Sequence, residues 1–249
     1  MSNNDTRVIA SIATGLVLLA AGGIWWYSRS ITPPANASPK VVTATEAPID
    51  TKAEKPVDLP PRDGMDAFLR PLLRQLSNRP ELANWLVTDD LVGQLSMAID
   101  QASTGASPAR DFKVLKPTGT FSARGSGPTR VIDPAGYKRY DALVQTVTSI
   151  DASKVAQIFR TIRPRLNEAY QQHGNQGRNV DAAVVAALDI LIDTPDVKDP
   201  IAVAGAGAFW EYRDEDLATL LPTQKQLLRM GPANAERLKV WLRALRDAL

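Results

Sequence analysis

The sequence predicts a mainly α-helical fold, in which one transmembrane helix and a proline-rich linker precede a multi-helix soluble domain with a small β-hairpin. Three observations lead to this prediction. A stretch of 20 apolar or small residues lies near the amino terminus, seven prolines cluster behind it, and the remaining chain repeats apolar residues at helical spacing. We therefore assign residues 1–7 to a short flank, 8–27 to the membrane helix, 28–63 to the linker and 64–249 to the soluble domain.

The apolar stretch begins at Val8, ends at Tyr27 and contains no charged side chain. About twenty helical residues, at roughly 1.5 Å each, span the hydrocarbon core of a bilayer. Trp25 and Trp26 stand at one end, where aromatic rings prefer the membrane interface. The stretch is interpreted as an uncleaved anchor. A signal peptide cleaved near Ala37 is the alternative.

Two properties of the anchor stay open. Arg7 and Arg29 flank it almost symmetrically, so basic residues barely discriminate between the two orientations. The short amino-terminal flank and the linker favour export of the carboxyl-terminal side. Ser11, Gly15 and Gly22 share one helical stripe, which leaves a homodimer through this helix as an alternative to a lone anchor.

Residues 28–63 form the predicted linker, because frequent proline removes amide donors and favours extended backbone. Such a spacer holds the following domain away from the membrane. The absence of cysteine and the single histidine exclude disulfide scaffolds, thiol catalysis and cysteine- or histidine-rich zinc sites. Because 29 basic residues face 27 acidic ones, no nucleic-acid partner is expected.

Apolar spacing and capping signals give the helices of the domain. The predicted helices cover residues 65–76, 81–103, 134–150 with Asp133 as N-cap, 152–173, 181–193, 214–220, 222–230 and 232–249. In the second of them, Leu91 and Leu95 are expected to face the core, and Asp89-Asp90 breaks the pattern, which leaves two separate helices as the alternative. Pro164 predicts a kink or a break in the fourth.

Residues 118–132 carry the clearest strand signal, because two short β-type runs flank the turn sequence GSGP at 125–128. This pattern predicts the hairpin. Residues 201–212 are ambiguous, since Gly205 and Gly207 loosen a segment that ends in the strand-like sequence FWEY.

The search for chemistry yields no catalytic residue, cofactor site or metal site. His173 precedes Gly174 and is interpreted as a residue at a helix end. The aspartates at 193, 196 and 199 are interpreted as helix caps or first-turn charges. Paired carboxylates for sugar hydrolysis stay open, because such a pair forms only in three dimensions, as with Asp141 or Glu168.

The last 28 residues carry six basic side chains against two acidic ones, which indicates a solvated basic face or a surface for an acidic partner. The basic residues are Lys225, Arg229, Arg237, Lys239, Arg243 and Arg246.

Several motifs resemble one bacterial family. They include residues 58–63 (DLPPRD), 138–141 (KRYD) and above all 224–234 (QKQLLRMGPAN). Together they resemble the domain-of-unknown-function 3014 family over about residues 63–249. The resemblance implies a single-span, membrane-anchored protein with a soluble carboxyl-terminal domain, and it implies no activity.

The motifs supply candidate site residues, whose role is either structural or the binding of a partner. They are Arg139, Tyr140, Asp141, Gln226 and Arg229. Gly231-Pro232 stops one helix and starts the next, and Gln226 and Arg229 are expected to bond the free carbonyls of that junction. A structural junction is the preferred interpretation.

The sequence thus predicts a non-enzymatic interaction or scaffolding protein of the bacterial envelope. It is expected to be single-pass in the inner membrane, inserted through Val8 to Tyr27, with its domain in the periplasm and an envelope protein as partner. The alternative is an envelope hydrolase that acts on cell-wall glycan through carboxylates.

Overall fold

The computed structural model describes residues 57–112, 115–117, 119–206 and 209–249. The predicted membrane helix and most of the linker lie outside the described residues, and so their boundaries stay predictions. The described chain belongs to one unit, Glu46–Leu249. It is mainly helical with two small antiparallel hairpins, which confirms the predicted fold class for this part. None of the helices in the described ranges is both long and apolar enough to cross a bilayer.

The helices follow one another along the described chain with short connections. They are α1 (Met65–Arg74), α2 (Pro80–Trp85), α3 (Leu91–Ser103), α4 (Asp141–Thr148), α5 (Ala152–Gln172), α6 (Val180–Ile192), α7 (Glu215–Thr219), α8 (Pro222–Leu228) and α9 (Pro232–Ala248). Single 3₁₀ turns occupy Arg62–Gly64, Pro108–Arg110 and Gly127–Thr129, and a longer 3₁₀ segment, Pro134–Tyr140, stands where the sequence predicts the first turns of an α-helix. The strands are β1 (Ala123–Arg124), β2 (Val131–Ile132), β3 (Val203–Ala206) and β4 (Phe209–Tyr212).

Local capping explains where α5 begins and ends. The carboxylate of Asp151 accepts hydrogen bonds from the backbone N–H groups of Ser153 and Lys154, at 2.8 and 3.2 Å. His173 is the residue at the carboxyl end, as the sequence predicts. Of the two alternatives predicted at Pro164, the break is wrong, because the helix runs for 21 residues across that proline, whereas the kink stays a prediction.

The second predicted helix is two helices, α2 and α3. Asp90 separates them in a left-handed conformation with φ 54°, and Asp66 accepts the backbone N–H of Asp90 at 2.8 Å. The apolar face of α3 therefore does not continue the apolar face of α2. Val92 is 1% exposed, whereas Leu95 is 42% exposed, so the expected inward position of Leu95 is wrong.

Apolar contacts between helices form the core. The largest cluster joins α1, α3, α5 and α6 around Leu166 and Tyr170, both fully buried. The carboxyl-terminal helix α9 buries Leu238, Leu242 and Leu245 against the rest of the body, which confirms its predicted packing. Burial of each such leucine contributes about 2 kcal/mol.

Two hairpins pack side by side. β1 pairs with β2, as predicted, and β3 pairs with β4 from the segment that the sequence left ambiguous. Backbone bonds join them, since Ile132 N–H donates to the carbonyl of Ile201 at 2.9 Å and Val203 N–H donates to that of Arg130 at 3.0 Å. The second hairpin thus depends on backbone bonds to residues that lie 69 and 73 positions earlier in the sequence. No local sequence pattern reveals these bonds.

The basic carboxyl-terminal face is solvated only in part. Lys239 is 4% exposed, and its Nζ donates to the carbonyl of Thr194 at 2.6 Å and to Asp196 at 2.7 Å. The hydrogen bond from Lys239 holds the pKa of Asp196 below its usual range. Asp196 therefore forms an ion pair, and its interpretation as a helix cap is wrong.

The chain enters the body beside α5. Arg165 donates through Nε to the carbonyl of Pro60 at 2.9 Å and through Nη2 to that of Leu59 at 3.2 Å. The same guanidinium binds both oxygens of Glu168, at 2.9 and 3.0 Å.

Candidate functional site: a basic cleft

A concave region of about 470 Å³ lies between the hairpins and α8. We call it the basic cleft, and its lining residues are Ser107, Ala109, Lys116, Pro117, Phe121, Arg139, Tyr140, Trp210, Pro222, Lys225, Gln226 and Arg229. This volume is typical of small-ligand sites, which measure about 300–1,000 Å³.

Four of the five predicted site residues meet in this cleft. Arg139 and Tyr140 end the 3₁₀ turn that follows β2, whereas Gln226 lies on α8 and Arg229 follows it directly. The fifth, Asp141, starts α4 and does not line the cleft. Two motifs that are more than 80 residues apart in sequence thus form one site.

Tyr140 connects the two motifs. Its ring is 2% exposed and packs in an apolar cluster with Val144 and Leu227. Its phenol oxygen accepts hydrogen bonds from Gln226 Nε2 at 3.2 Å and from Arg139 Nη2 at 3.3 Å. The core therefore fixes the phenol, and the phenol fixes the two polar side chains.

The expectation that Gln226 and Arg229 bond the junction carbonyls is wrong. Arg229 donates instead to the carbonyl of Trp210, at 3.4 Å. The junction satisfies itself, because Met230 N–H and Gly231 N–H donate to the carbonyls three residues earlier, both at 3.0 Å. The two side chains are thus available to the cleft.

Asp141 has a structural role beside the cleft. Its Oδ1 accepts a hydrogen bond from Asn234 Nδ2 at 2.9 Å. Asn234 is 5% exposed, and the same nitrogen also contacts the carbonyls of Met230 at 3.1 Å and Tyr137 at 3.4 Å. This amide ties the start of α4 to the start of α9, directly behind the two motifs.

Aromatic rings form the wall of the cleft. The ring centroids of Phe121 and Trp210 are 5.2 Å apart and tilted by 46°. The guanidinium carbon of Arg139 lies 5.7 Å from the Phe121 centroid and 4.9 Å from the Tyr140 centroid. Arg130 lies 5.5 Å from the Trp210 centroid. Such cation–π contacts hold a guanidinium in place without neutralising it.

The charge of the cleft has no described counter-charge. Lys116, Arg139, Lys225 and Arg229 line it, and none of them lies within 4.0 Å of a carboxylate oxygen of a described residue. Elsewhere in the body, seven arginines do form such pairs. Nε of Arg139 is buried and has no hydrogen-bond partner among the described residues.

Tyr212 lies beside Lys225 and Arg229 and does not neutralise their positive charge. Its phenol donates to the carbonyl of Lys225 at 3.1 Å. Burial raises the pKa of Tyr212 to about 12, although nearby Arg229 acts in the opposite direction. The phenol is therefore neutral at physiological pH, and the cleft keeps its positive charge.

A second cavity of about 510 Å³ is acidic, lined by Arg62, Asp63, Asp66 and Asp90. Two of its carboxylates have structural bonds: Asp66 accepts the N–H of Leu91 at 2.9 Å, and Asp90 accepts from Arg62 at 2.7 Å. The hydrogen bond from Arg62 lowers the pKa of Asp90, whereas a general acid needs a raised one. Across the described ranges, no acidic or histidine side chains group as metal ligands.

The lining residues that sequence reasoning missed include Lys116, Phe121 and Trp210. Phe121 was assigned to a strand and Trp210 to an ambiguous segment, and both assignments concern backbone only. Their proximity arises from the contact between the two hairpins, which is set by long-range backbone pairing. No signal within either segment indicates the shared site.

Comparison with known proteins adds the family. A family model described as "Protein of unknown function (DUF3014)" matches residues 91–246. The chain therefore belongs to this family, as the motif resemblance predicts. No curated protein and no solved structure matches the chain. The matched range includes every described residue that lines the basic cleft.

Proposed function

We propose that this protein is a non-enzymatic interaction module, tethered to the bacterial inner membrane, that binds an anionic group of its partner in the basic cleft. The observation that carries the proposal is the set of four cations in a concave, aromatic-walled site without a described acidic neighbour. These cations come from family motifs and adjoining segments that the fold brings together.

The charged side chains that line the cleft are all positive. The cations that line the cleft repel one another, and partial burial of Arg139, Lys225 and Arg229 makes these charges less stable. Arg139 illustrates this, since its buried Nε has no described partner. An anionic ligand would relieve the repulsion and satisfy the donors by charge-assisted bonds. The cleft is therefore complementary to a negative group.

The hydrolase alternative has less support from the geometry. A glycosidase needs two carboxylates that flank the scissile bond. The described lining of the basic cleft contains no carboxylate, and in the acidic cavity Asp66 and Asp90 bind backbone N–H groups or pair with arginine. Glu168 pairs with Arg165 and lines neither cavity.

The tether rests on the sequence. We place the anchor at residues 8–27, the spacer at 28–63 and the domain at 64–249, with the domain in the periplasm and an envelope protein as partner. A reporter that is active only in the periplasm, fused after Leu249, is expected to be active. The same fusion without residues 8–27 is expected to be silent and is the control. A stably produced full-length fusion that stays silent would contradict export.

Partner binding is tested by crosslinking in cells. A photoreactive side chain placed at Lys116, which is exposed and lines the cleft, is expected to form an adduct with the partner. The adduct should disappear in the variant R139Q/R229Q. Val240 is 59% exposed on α9 and outside the cleft lining, so the same probe there is the control. An adduct at position 116 that survives R139Q/R229Q unchanged would exclude the cleft as the binding site.

A further inference from the structure

We infer that the basic cleft binds an extended peptide segment in which an acidic side chain stands next to an aromatic residue or a proline. This inference rests on the proposed function, since it names the ligand class of the same site. Three properties of the lining carry it: the shape of the cationic groups, the apolar wall, and the balance of hydrogen-bond donors and acceptors.

The cationic groups have the shape that a carboxylate needs. A guanidinium presents five N–H donors in a planar fork, which matches the two oxygens of a carboxylate. Arg139 uses only one long bond within the described chain, at 3.3 Å to Tyr140. Two ring contacts hold its plane in position. Arg229 contacts the carbonyl of Trp210 at 3.4 Å and the phenol of Tyr212, which leaves other N–H donors of its guanidinium for a ligand.

Because part of the cleft is apolar, a ligand that fills it needs an apolar group beside its negative charge. Phe121, Trp210, Pro117 and Pro222 line the same cleft as the cations. A free phosphate or a lipid headgroup offers nothing that packs on this wall. Grooves lined by aromatic residues bind proline-containing or aromatic peptide segments, which combine apolar rings with a backbone of low flexibility. An acidic peptide supplies both parts on one short chain.

The polar groups of the cleft are mainly donors. Lysine and arginine donate and never accept, whereas sugar hydroxyls need donors and acceptors in similar number. This balance disfavours a neutral glycan. A nucleic-acid strand stacks on aromatic rings but also needs a cationic groove that follows several phosphates. The four cations line a single cleft of about 470 Å³, which is short for a groove that must follow several phosphates.

The test uses the full chain in detergent and fluorescence anisotropy of a dye-labelled peptide composed of Glu, Pro and Tyr. The same peptide with Gln in place of every Glu is expected to bind at least about 10-fold more weakly, because it loses the charge-assisted bonds to the guanidinium groups. R139Q is expected to weaken the Glu peptide by a similar factor. R139K, which keeps the charge and loses the planar fork, should fall between R139Q and the unaltered protein.

Two further variants guard against misfolding. Lys116 is exposed and lines the cleft, so K116Q should fold normally and weaken the Glu peptide severalfold. Arg237 is exposed and outside the cleft lining, so R237Q removes the same charge and should bind the peptide unchanged. Equal binding of the Glu and Gln peptides, or unchanged binding by both R139Q and K116Q, would overturn the inference.

Competition against the labelled peptide tests the other classes of ligand. Inorganic phosphate, glycerol phosphate and a single-stranded oligothymidylate are each expected to compete more weakly than the unlabelled Glu peptide. Stronger competition by any of them would replace the peptide by phosphate, headgroup or nucleic acid. If peptide binding fails while crosslinking at position 116 still depends on Arg139 and Arg229, the ligand class is wrong and the proposed function stands. If both fail, the proposed function is wrong.

Discussion

Replacement of Gly231 by alanine is expected to lower the free energy of unfolding by about 2–4 kcal/mol. Gly231 precedes α9 and has φ 85°, a left-handed conformation that L side chains rarely adopt. A Cβ atom there would lie 2.5 Å from the ring of Tyr137, well inside contact distance. Backbone strain and steric overlap therefore add. Urea denaturation monitored by circular dichroism measures the loss.

Gly174 provides the matched control for this variant. It has φ 91°, and a Cβ atom there would meet nothing within 4 Å. G174A therefore retains the backbone strain and lacks the overlap, and it is expected to cost only about 1 kcal/mol. If G174A destabilises the protein as much as G231A, contact with Tyr137 is not the cause.

Removal of the Asn234 side chain is the second large effect, with an expected loss of about 2–3 kcal/mol for N234A. The side chain is buried, and its amide nitrogen contacts Asp141 and two backbone carbonyls. Alanine would leave these acceptors without their donor in a place with little access to water. Chemical denaturation at neutral pH gives the free energy.

A double-mutant cycle isolates the bond between Asn234 and Asp141. We expect a coupling energy of about 1–2 kcal/mol between N234A and D141A, since the bond is charge-assisted. Asp151 caps α5 and has no described contact with Asn234. The cycle of N234A with D151A should give coupling within about 0.5 kcal/mol of zero. Equal coupling in both cycles would show that the Asn234–Asp141 bond is not specific.

Most helices of the described body could be predicted, because their starts are encoded next to them in sequence. Asp151, Asn179 and Asp214 each accept a backbone N–H two or three residues ahead. Two positions have a burial different from the one predicted, and each has a cause outside its own helix. Leu95 points outward because α3 starts anew after Asp90, and Lys239 is buried because Thr194 and Asp196 provide acceptors from elsewhere in the fold.

The site could be predicted in its parts and not as a whole. The motifs identify Arg139, Tyr140, Gln226 and Arg229, yet their expected role at the helix junction is wrong. Tyr140 and Gln226 meet because the tyrosine ring packs in the core beside Leu227, and such packing is a property of the folded chain. Charge pairing is likewise three-dimensional, so only the structure shows that the cations of the cleft have no described acidic neighbour.

The contact of Arg165 with the carbonyls of Leu59 and Pro60 has a mechanical consequence. Arg165 lies near the middle of α5, one residue before the fully buried Leu166. Tension on the preceding segment would therefore act on α5, whose apolar side chains are buried in the core. It would not act on a terminal segment that can unfold separately. The segment that leads into the domain is thus attached to a helix of the hydrophobic core.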